Sequence, residues 1–408
     1  VATIKPFQPY RYTAKGGDPS RLVTQPYDKI NPEMQAKYLA ASPYNLVRII
    51  LGERFPADDD ANNIYMRAAK YLDDWIRDGI LAQDRVPGLY AYSQEFEVPD
   101  TGERATRTGF IGLGKVEDYS ANVVYRHEQT LSGPKKDRLN LLRHTRAHFG
   151  QIFMLYADPE RAVDRLLDGV TPLLDVCDDY QARHRVSAIT DPIKIAAIQE
   201  AMSSKKLLIA DGHHRYETAL AYRNENPGVL AAEYVMMTFV NMHSPGLRIL
   251  ATHRVLRNLG GFDVNGFFEK AARDWTVTQL ESTGAIKAAL QVLKPGRVRI
   301  GVATKGSVHM LERQRKTGEL DVPTLHTEIL GKLLGIGEEA VRDEAYITYM
   351  RGMDAALSQV ENEGQIAFLL EPTPIEDMAR IAFAGGVMPQ KSTDFYPKLL
   401  SGVTIYRL

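Results

Sequence analysis

"KKLLIADGHHRYETALAYRNEN", Lys205 to Asn226, opens as a strand and closes as a helix. Leu207, Leu208 and Ile209 form a continuous apolar run of the kind a strand covered on both faces carries, whereas Tyr216, Ala219 and Leu220 recur at helical spacing. Between the two patterns stand Asp211, Gly212, His213, His214 and Arg215. Gly212 permits a positive φ or a close backbone approach. The first turn of a helix leaves N–H groups unpaired and carries partial positive charge, so it accepts an anion. Asp211 can also be read as a simple helix cap. Cations in a first turn, however, oppose the helix dipole by about 0.3–1 kcal/mol each, which capping alone does not explain. Arg215 suits a bidentate grip on phosphate, and His213 and His214 can donate a hydrogen bond or pass a proton.

Outward from this turn the chain alternates strands and helices. "NNIYMRAAKYLDDWIRDGIL", from Asn62, has Ile64, Ala68, Leu72, Trp75 and Ile76 on one helical face, with Gly79 near its end. "GLYAYSQEFEV" and "ATRTGFIGLGKV" read as strands joined by the turn Pro99-Asp100-Thr101-Gly102. "QIFMLYAD" and "EYVMMTFVNM" are further strands. After Gly260-Gly261, "VNGFFEKAARDW", "TGAIKAALQVL", "RVRIGVAT" and "SVHMLERQ" alternate helix and strand over the length of a small subdomain. The pattern predicts an α/β or α+β protein with mixed sheets flanked by helices. It divides into an N-terminal α/β domain (1–160), a core carrying the GHHR turn (161–260), a small α/β subdomain (261–345) and a C-terminal return segment (346–408).

At 408 residues, 44% hydrophobic and 25% charged, the chain has the composition of a globular protein with a large core. A formal net charge of −1 provides no global field toward nucleic acid, so a nucleic-acid partner is not expected. The single cysteine, Cys177, excludes an intrachain disulfide and a cysteine-rich metal centre. No apolar run approaches the roughly 18 residues of a membrane helix. "VATIKPFQPYRY" has the pattern of neither a signal nor a transit peptide. A cytoplasmic protein acting on a small molecule is the expectation.

"RHEQTLSGPKKDRLNLLRHTRAH" concentrates Arg126, His127, Glu128, Thr130, Lys135, Asp137 and Arg138. Phosphoryl transfer needs cations on the phosphates and a carboxylate that binds metal or orients the nucleophile, and this stretch supplies both. A solvated charged face is the alternative. His144 and His148, four apart on a predicted helix, have chelating spacing, but Thr145 stands where a zinc-protease motif needs Glu. "GGVMPQKST" lacks the Gly before Lys that a P-loop requires, since Gln390 stands there, and it follows a helix rather than a strand. "GFIGLGKV" has the order G-x-x-G-x-G, so Gly109, Gly112 and Gly114 read as strand glycines and not as a dinucleotide fingerprint. In "LATHRVL", His253 or Arg254 can face a ligand.

"ADGHHRYETAL" resembles the signature of a bacterial and archaeal family, domain of unknown function 1015. "QPYDKI", "SPYNLVRI", "RHEQT" with "PKKDR", "LATHRVL" and "MPQKSTDFYPKLLSG" resemble it too. The resemblance singles out Asp28, Arg126, His127, Glu128 and Arg138, and implies that the loop of Lys391, Ser392 and Thr393 closes over a site. More widely, Gly212 and Arg215 are similar to the Gly-x-x-Arg turn of the ParB/sulfiredoxin-like superfamily, whose strand leads to a nucleotide-binding helix. Its members include CTP-binding partition proteins, an ATP-using sulfinic acid reductase and kinases of free serine.

This resemblance implies an ATP-dependent phosphotransferase of a small hydroxyl compound such as serine. Glu128, Asp28, His213 and Asp211 are then the candidates for the chemistry. Phosphate contacts are expected from Gly212, His213, His214, Arg215, Arg126, His127, Lys135, Arg138, His253, Arg254, Lys391, Ser392 and Thr393. Mg²⁺ would bind through Glu128 or Asp211. A nucleotide-gated binding protein of the ParB type and a phosphate-ester hydrolase or lyase are the alternatives.

Overall fold

The computed structural model describes residues 2–128, 132–167, 171–292, 294–342, 344–389 and 391–408. Thr130 and Gln390 lie outside the described residues. Two mixed or antiparallel sheets, each sandwiched between helices, organise the chain.

The larger sheet runs in the order Val124–Tyr125, Leu207–Asp211, Ile152–Tyr156, Tyr234–Asn241, Arg104–Lys115, Leu89–Glu97, Arg183–Ile189, Leu174–Cys177, and Ile4–Lys5 pairs beside the end of Arg104–Lys115. Leu207–Asp211 is antiparallel to Ile152–Tyr156 and parallel to Val124–Tyr125. Alternation along this strand sends Leu207 and Ile209 into one core, and Leu208 and Ala210 into the other. Helices Pro192–Ser203 and His213–Glu225 cover the first face through Ile195, Ile198, Met202, Tyr216 and Ala219. The second face is covered by helix Ile375–Phe383 and by Phe395, Leu399, Leu400 and Val403 of the return segment. Both faces are therefore apolar, which is why this strand reads as an unbroken hydrophobic run.

The strand glycines are packing devices. A Cβ on Gly109 would run into the Phe239 carbonyl of the adjacent strand, and one on Gly114 into the Met237 sulfur. Helix Ile64–Arg77 starts at Asn63, whose side chain accepts from the Tyr65 and Met66 amides. His144 and His148 do not share a helix: Ser132–Thr145 ends first, Arg146 takes a positive φ, and His148 lies in the strand Ala147–His148.

The smaller sheet is ordered Thr276–Leu280, Ser307–Gln314, Arg297–Thr304, Ile366–Leu369, Thr252–Leu256, Ile347–Arg351. It draws strands from both sides of the 261–345 stretch. Helices Val264–Ala271 and Leu325–Leu333 cover one face, the latter with π-helical hydrogen bonding; Thr283–Gln291 and Met353–Asn362 cover the other. The chain then packs back on the larger sheet and makes two separate two-stranded sheets, Asp394–Tyr396 with Arg248–Leu250 and Tyr406–Arg407 with Ala147–His148. Among the described residues no helix is long and apolar enough to cross a membrane.

Candidate functional site

The strand Leu207–Asp211 is irregular where it meets Ile152–Tyr156, its register shifting between Ile209 and Asp211, and such a bulge re-aims the side chain that follows. Asp211 thereby turns toward the helix that begins two residues on. Gly212 has φ +93° and supplies no capping side chain to helix His213–Glu225, so the first-turn amides keep no side-chain cap. A Cβ at Gly212 would stand 3.0 Å from three atoms of the Arg215 guanidinium. Glycine is required here both for the left-handed backbone and for the arginine's return path.

That path leads back to the strand. Arg215 Nη2 donates to Asp211 Oδ2 at 2.6 Å, and Nη1 to the Gln151 carbonyl. The other Asp211 oxygen accepts from Lys398 Nζ at 3.0 Å, and the same ammonium lies 3.1 Å from Asp394, which Arg351 of the smaller sheet holds at 2.5 and 2.9 Å. Burial acts to neutralise these groups, but the partners win. Lys398, Arg215 and Lys29 hold the Asp211 carboxyl far below the usual range. Lys398 and Arg351 hold Asp394 at about 2. Lys398 itself, buried yet flanked by two carboxylates, stays above the ordinary lysine value.

The backbone that presents Lys398 is fixed from beneath. Buried Arg107 donates to the carbonyls of Tyr396 (3.0 Å) and Pro397 (2.5 Å), and Gln94 Nε2 to that of Lys398 (2.9 Å). A second approach to the turn comes from the N-terminal segment, where Lys29 and Asp28 pair at 3.8 Å. Burial lowers the Lys29 pKa, and Lys398 and Lys391 lower it further against the pull of Asp28 and Asp211.

His127 and Glu128 arrive on the opposite side. The Ile209 carbonyl must accept, so His127 Nδ1 donates to it at 2.8 Å, and Nε2 is left to accept from the Thr393 hydroxyl at 2.8 Å. Both nitrogens are engaged, and burial pulls the pKa down to about 4. The His213 ring meets His127 edge to face at 4.7 Å, is neutralised by burial and by His127, and keeps a buried Nε2 with no partner. Burial also raises the Glu128 pKa, although the Lys391 amide donates to Oε1 at 3.0 Å. His214 lies within electrostatic reach of Glu217, Lys135, Asp28 and Lys391, and burial lowers its pKa.

The structure thus gathers Asp28, Glu128, Asp211, Gly212, His213, His214, Arg215 and Lys391 about one turn. His127 and Thr393 bond each other beside it, and the remaining candidates are engaged elsewhere. Arg126 (3.6 Å) and Lys135 pair with Glu217 on the flank of the helix. Arg138 is spent on Asp137 (2.9 Å) and the Ile50 carbonyl (2.7 Å) and stacks over Tyr27, so it joins helix Ser132–Thr145 to the N-terminal segment. Ser392 donates within its own loop, to the Pro389 carbonyl at 2.6 Å. His253 accepts from the Leu370 amide at 3.2 Å, and Arg254 donates to the carbonyls of Lys391 (3.0 Å) and Thr252. A cavity of about 70 Å³ lies beside Arg215 and Tyr27.

Lys29, Asp394, Lys398 and Arg351 were not singled out from sequence. The quoted segment "MPQKSTDFYPKLLSG" contained two of them, and attention to its Asp and Lys would have found the pair. Among the described residues no three His, Cys, Asp or Glu side chains are grouped to hold a metal ion.

A mixed α/β fold whose strand–glycine–helix turn is ringed by cations defines the class of protein. The chain belongs to the family described as protein of unknown function (DUF1015), whose profile matches residues 4–332. No curated protein matches it. Among solved structures, a variant of a free serine kinase in complex with AMP is 11% identical, with a TM-score of 0.37, over 67% of this chain and 84% of that one. A conserved hypothetical protein from Pyrococcus furiosus is 12% identical, with a TM-score of 0.36, over 68% and 91%. SbnI with a C-terminal truncation from Staphylococcus aureus is 10% identical, with a TM-score of 0.36, over 71% and 85%.

Proposed function

We propose that the chain is a nucleotide-dependent phosphotransferase acting on a small hydroxyl compound, with a hydroxy amino acid such as serine as the acceptor to test first. One observation carries the reading: a helix first turn without a side-chain cap stands in a surplus of positive charge. Asp211 and Asp394 are matched by Arg215, Lys398 and Arg351, and Asp28 by Lys29. Lys391 then remains with no carboxylate at ion-pair distance among the described residues. A polyanion such as a nucleoside triphosphate balances that excess and meets the amides of His213 to Arg215. The orphaned His213 Nε2 marks the same place as one that lacks a polar partner.

In this reading the nucleotide supplies the phosphoryl group. The first-turn amides and the ammonium groups of Lys391 and Lys29 bind and orient its phosphates. Glu128, a carboxylate that burial makes more basic, takes the proton of the acceptor hydroxyl, and Asp28 is its rival for that task. Asp211 does not suit Mg²⁺, because both its oxygens already lie in ion pairs. Glu128 alone is not a metal cage, so no step is assigned to a protein-held ion. The Gly212-x-x-Arg215 resemblance supports the choice of serine-like acceptors.

The test is incubation with ATP, Mg²⁺ and a pool of hydroxyl-bearing amino acids, followed by mass spectrometry for a phosphorylated product. Absence of nucleotide consumption across the pool overturns the proposal.

A further inference from the structure

Arg254 is a buried charge whose partners include no acid. It sits on strand Thr252–Leu256 of the smaller sheet, is 0% exposed, and has no carboxylate at ion-pair distance among the described residues. Its guanidinium lies 5.3 Å from the Tyr349 ring centre, on the strand paired beside it, and its Nε is buried without a partner. A buried cation without an anion is expensive and calls for an explanation.

The explanation lies in what it grips. Arg254 Nη2 donates to the Lys391 carbonyl at 3.0 Å, while the amide of the same residue donates to Glu128 Oε1 at 3.0 Å. Lys391 is thus held on both sides of its Cα, and its φ is +58°, a conformation that a lysine adopts at a cost. Arg254 and Glu128 hold that backbone between them. The charges facing Glu128 come from three elements: Lys391 and Lys398 of the return segment, Asp211 of strand Leu207–Asp211, and Arg254 of strand Thr252–Leu256.

We propose that Arg254 is a positioning residue through which the smaller sheet fixes the Lys391 backbone, and with it the orientation of Glu128 and the direction of the Lys391 side chain. It acts through the loop and touches neither phosphate nor acceptor. The inference rests on the phosphotransferase reading for its effect on rate, but its structural content can be measured without turnover.

The experiment compares full-length wild type with Arg254→Met, Arg254→Lys, Lys391→Gly and the double variant Arg254→Met/Lys391→Gly. It follows amide exchange at residue 391, ATP affinity by calorimetry, and kcat. In Arg254→Met, exchange at 391 accelerates and kcat falls by about a hundredfold, the scale of a misplaced catalytic group, while ATP affinity, which loses only the aim of the Lys391 ammonium, falls far less. Arg254→Lys, able to reach only one carbonyl, recovers part of both losses. In the Lys391→Gly background Arg254→Met costs less, because glycine takes the positive φ unaided. Unchanged exchange at 391 in Arg254→Met overturns the inference, as does loss of ATP affinity in step with kcat, or an equal cost in both backgrounds. If Arg254→Met does not fold, Arg254→Lys decides on the same readouts. If wild type consumes no ATP, the phosphotransferase reading falls, and exchange at 391 still decides whether the clamp exists.

Discussion

Lys398 Nζ lies 3.0 Å from Asp211 Oδ1, a contact between residues 187 apart in the chain. The ammonium also serves Asp394, so its loss leaves two carboxylates leaning on Arg215 and Arg351 alone. Breaking a buried pair from one side costs about 3–5 kcal/mol, and the remaining arginines place Lys398→Met at the low end, about 3 kcal/mol. Urea unfolding measures this, and a midpoint equal to wild type would contradict it.

Gly212→Ala combines a left-handed backbone penalty of about 1–3 kcal/mol with a Cβ pressed on the guanidinium. The variant is expected to lose stability and to weaken ATP binding together, because Arg215 is pushed off Asp211. Thermal melting and calorimetry on the same sample check whether the two losses travel together.

Arg215→Ala is expected to weaken ATP affinity by at least tenfold, about 1.4 kcal/mol, with the far-UV spectrum unchanged. Arg215→Lys keeps the charge and loses the fork, so it should fall between the two. Equal ATP affinity in all three proteins, read by calorimetry, would remove the anion site.

Glu128→Gln should abolish phosphoryl transfer while ATP still binds, since the amide can accept from Lys391 but cannot take a proton. Asp28→Asn serves as the control for the rival base. Whichever variant retains turnover in the coupled assay is excluded from that role.

Acid should unfold the protein through its histidines. His127 and His253 are buried and His148 half-buried, and all three are pulled down to about 4, against about 6.5 in an unfolded chain. Between those two values the unfolded state binds more protons than the folded one, so stability falls as pH drops through that window. Each fully buried ring contributes up to about 3 kcal/mol. Urea midpoints at pH 8 and pH 5 should differ strongly, and less in a His127→Gln variant that folds.

Much of this was legible because it is local. The strand, the turn and the helix around Gly212 follow from apolar spacing and one glycine, and the strand glycines at 109 and 114 were read correctly from their order. Arg138 misled because a cation in a basic stretch carries no sign of where it is spent; Asp137 beside it and the Ile50 carbonyl consume it. Lys398 escaped because its role exists only once the return segment folds over the larger sheet. His144 and His148 had helical spacing, but the helix stops at Thr145.

The order of emergence from the ribosome gives the return segment a further meaning. Leu207–Asp211 and the helix after it are synthesised long before Lys391 and Lys398, and the whole smaller sheet is made in between. Until the final stretch arrives, Asp211 lacks one of its two cations and Glu128 lacks the amide it binds. A nascent chain can therefore complete both sheets and still lack two of the contacts that fix this turn, which only the return segment supplies.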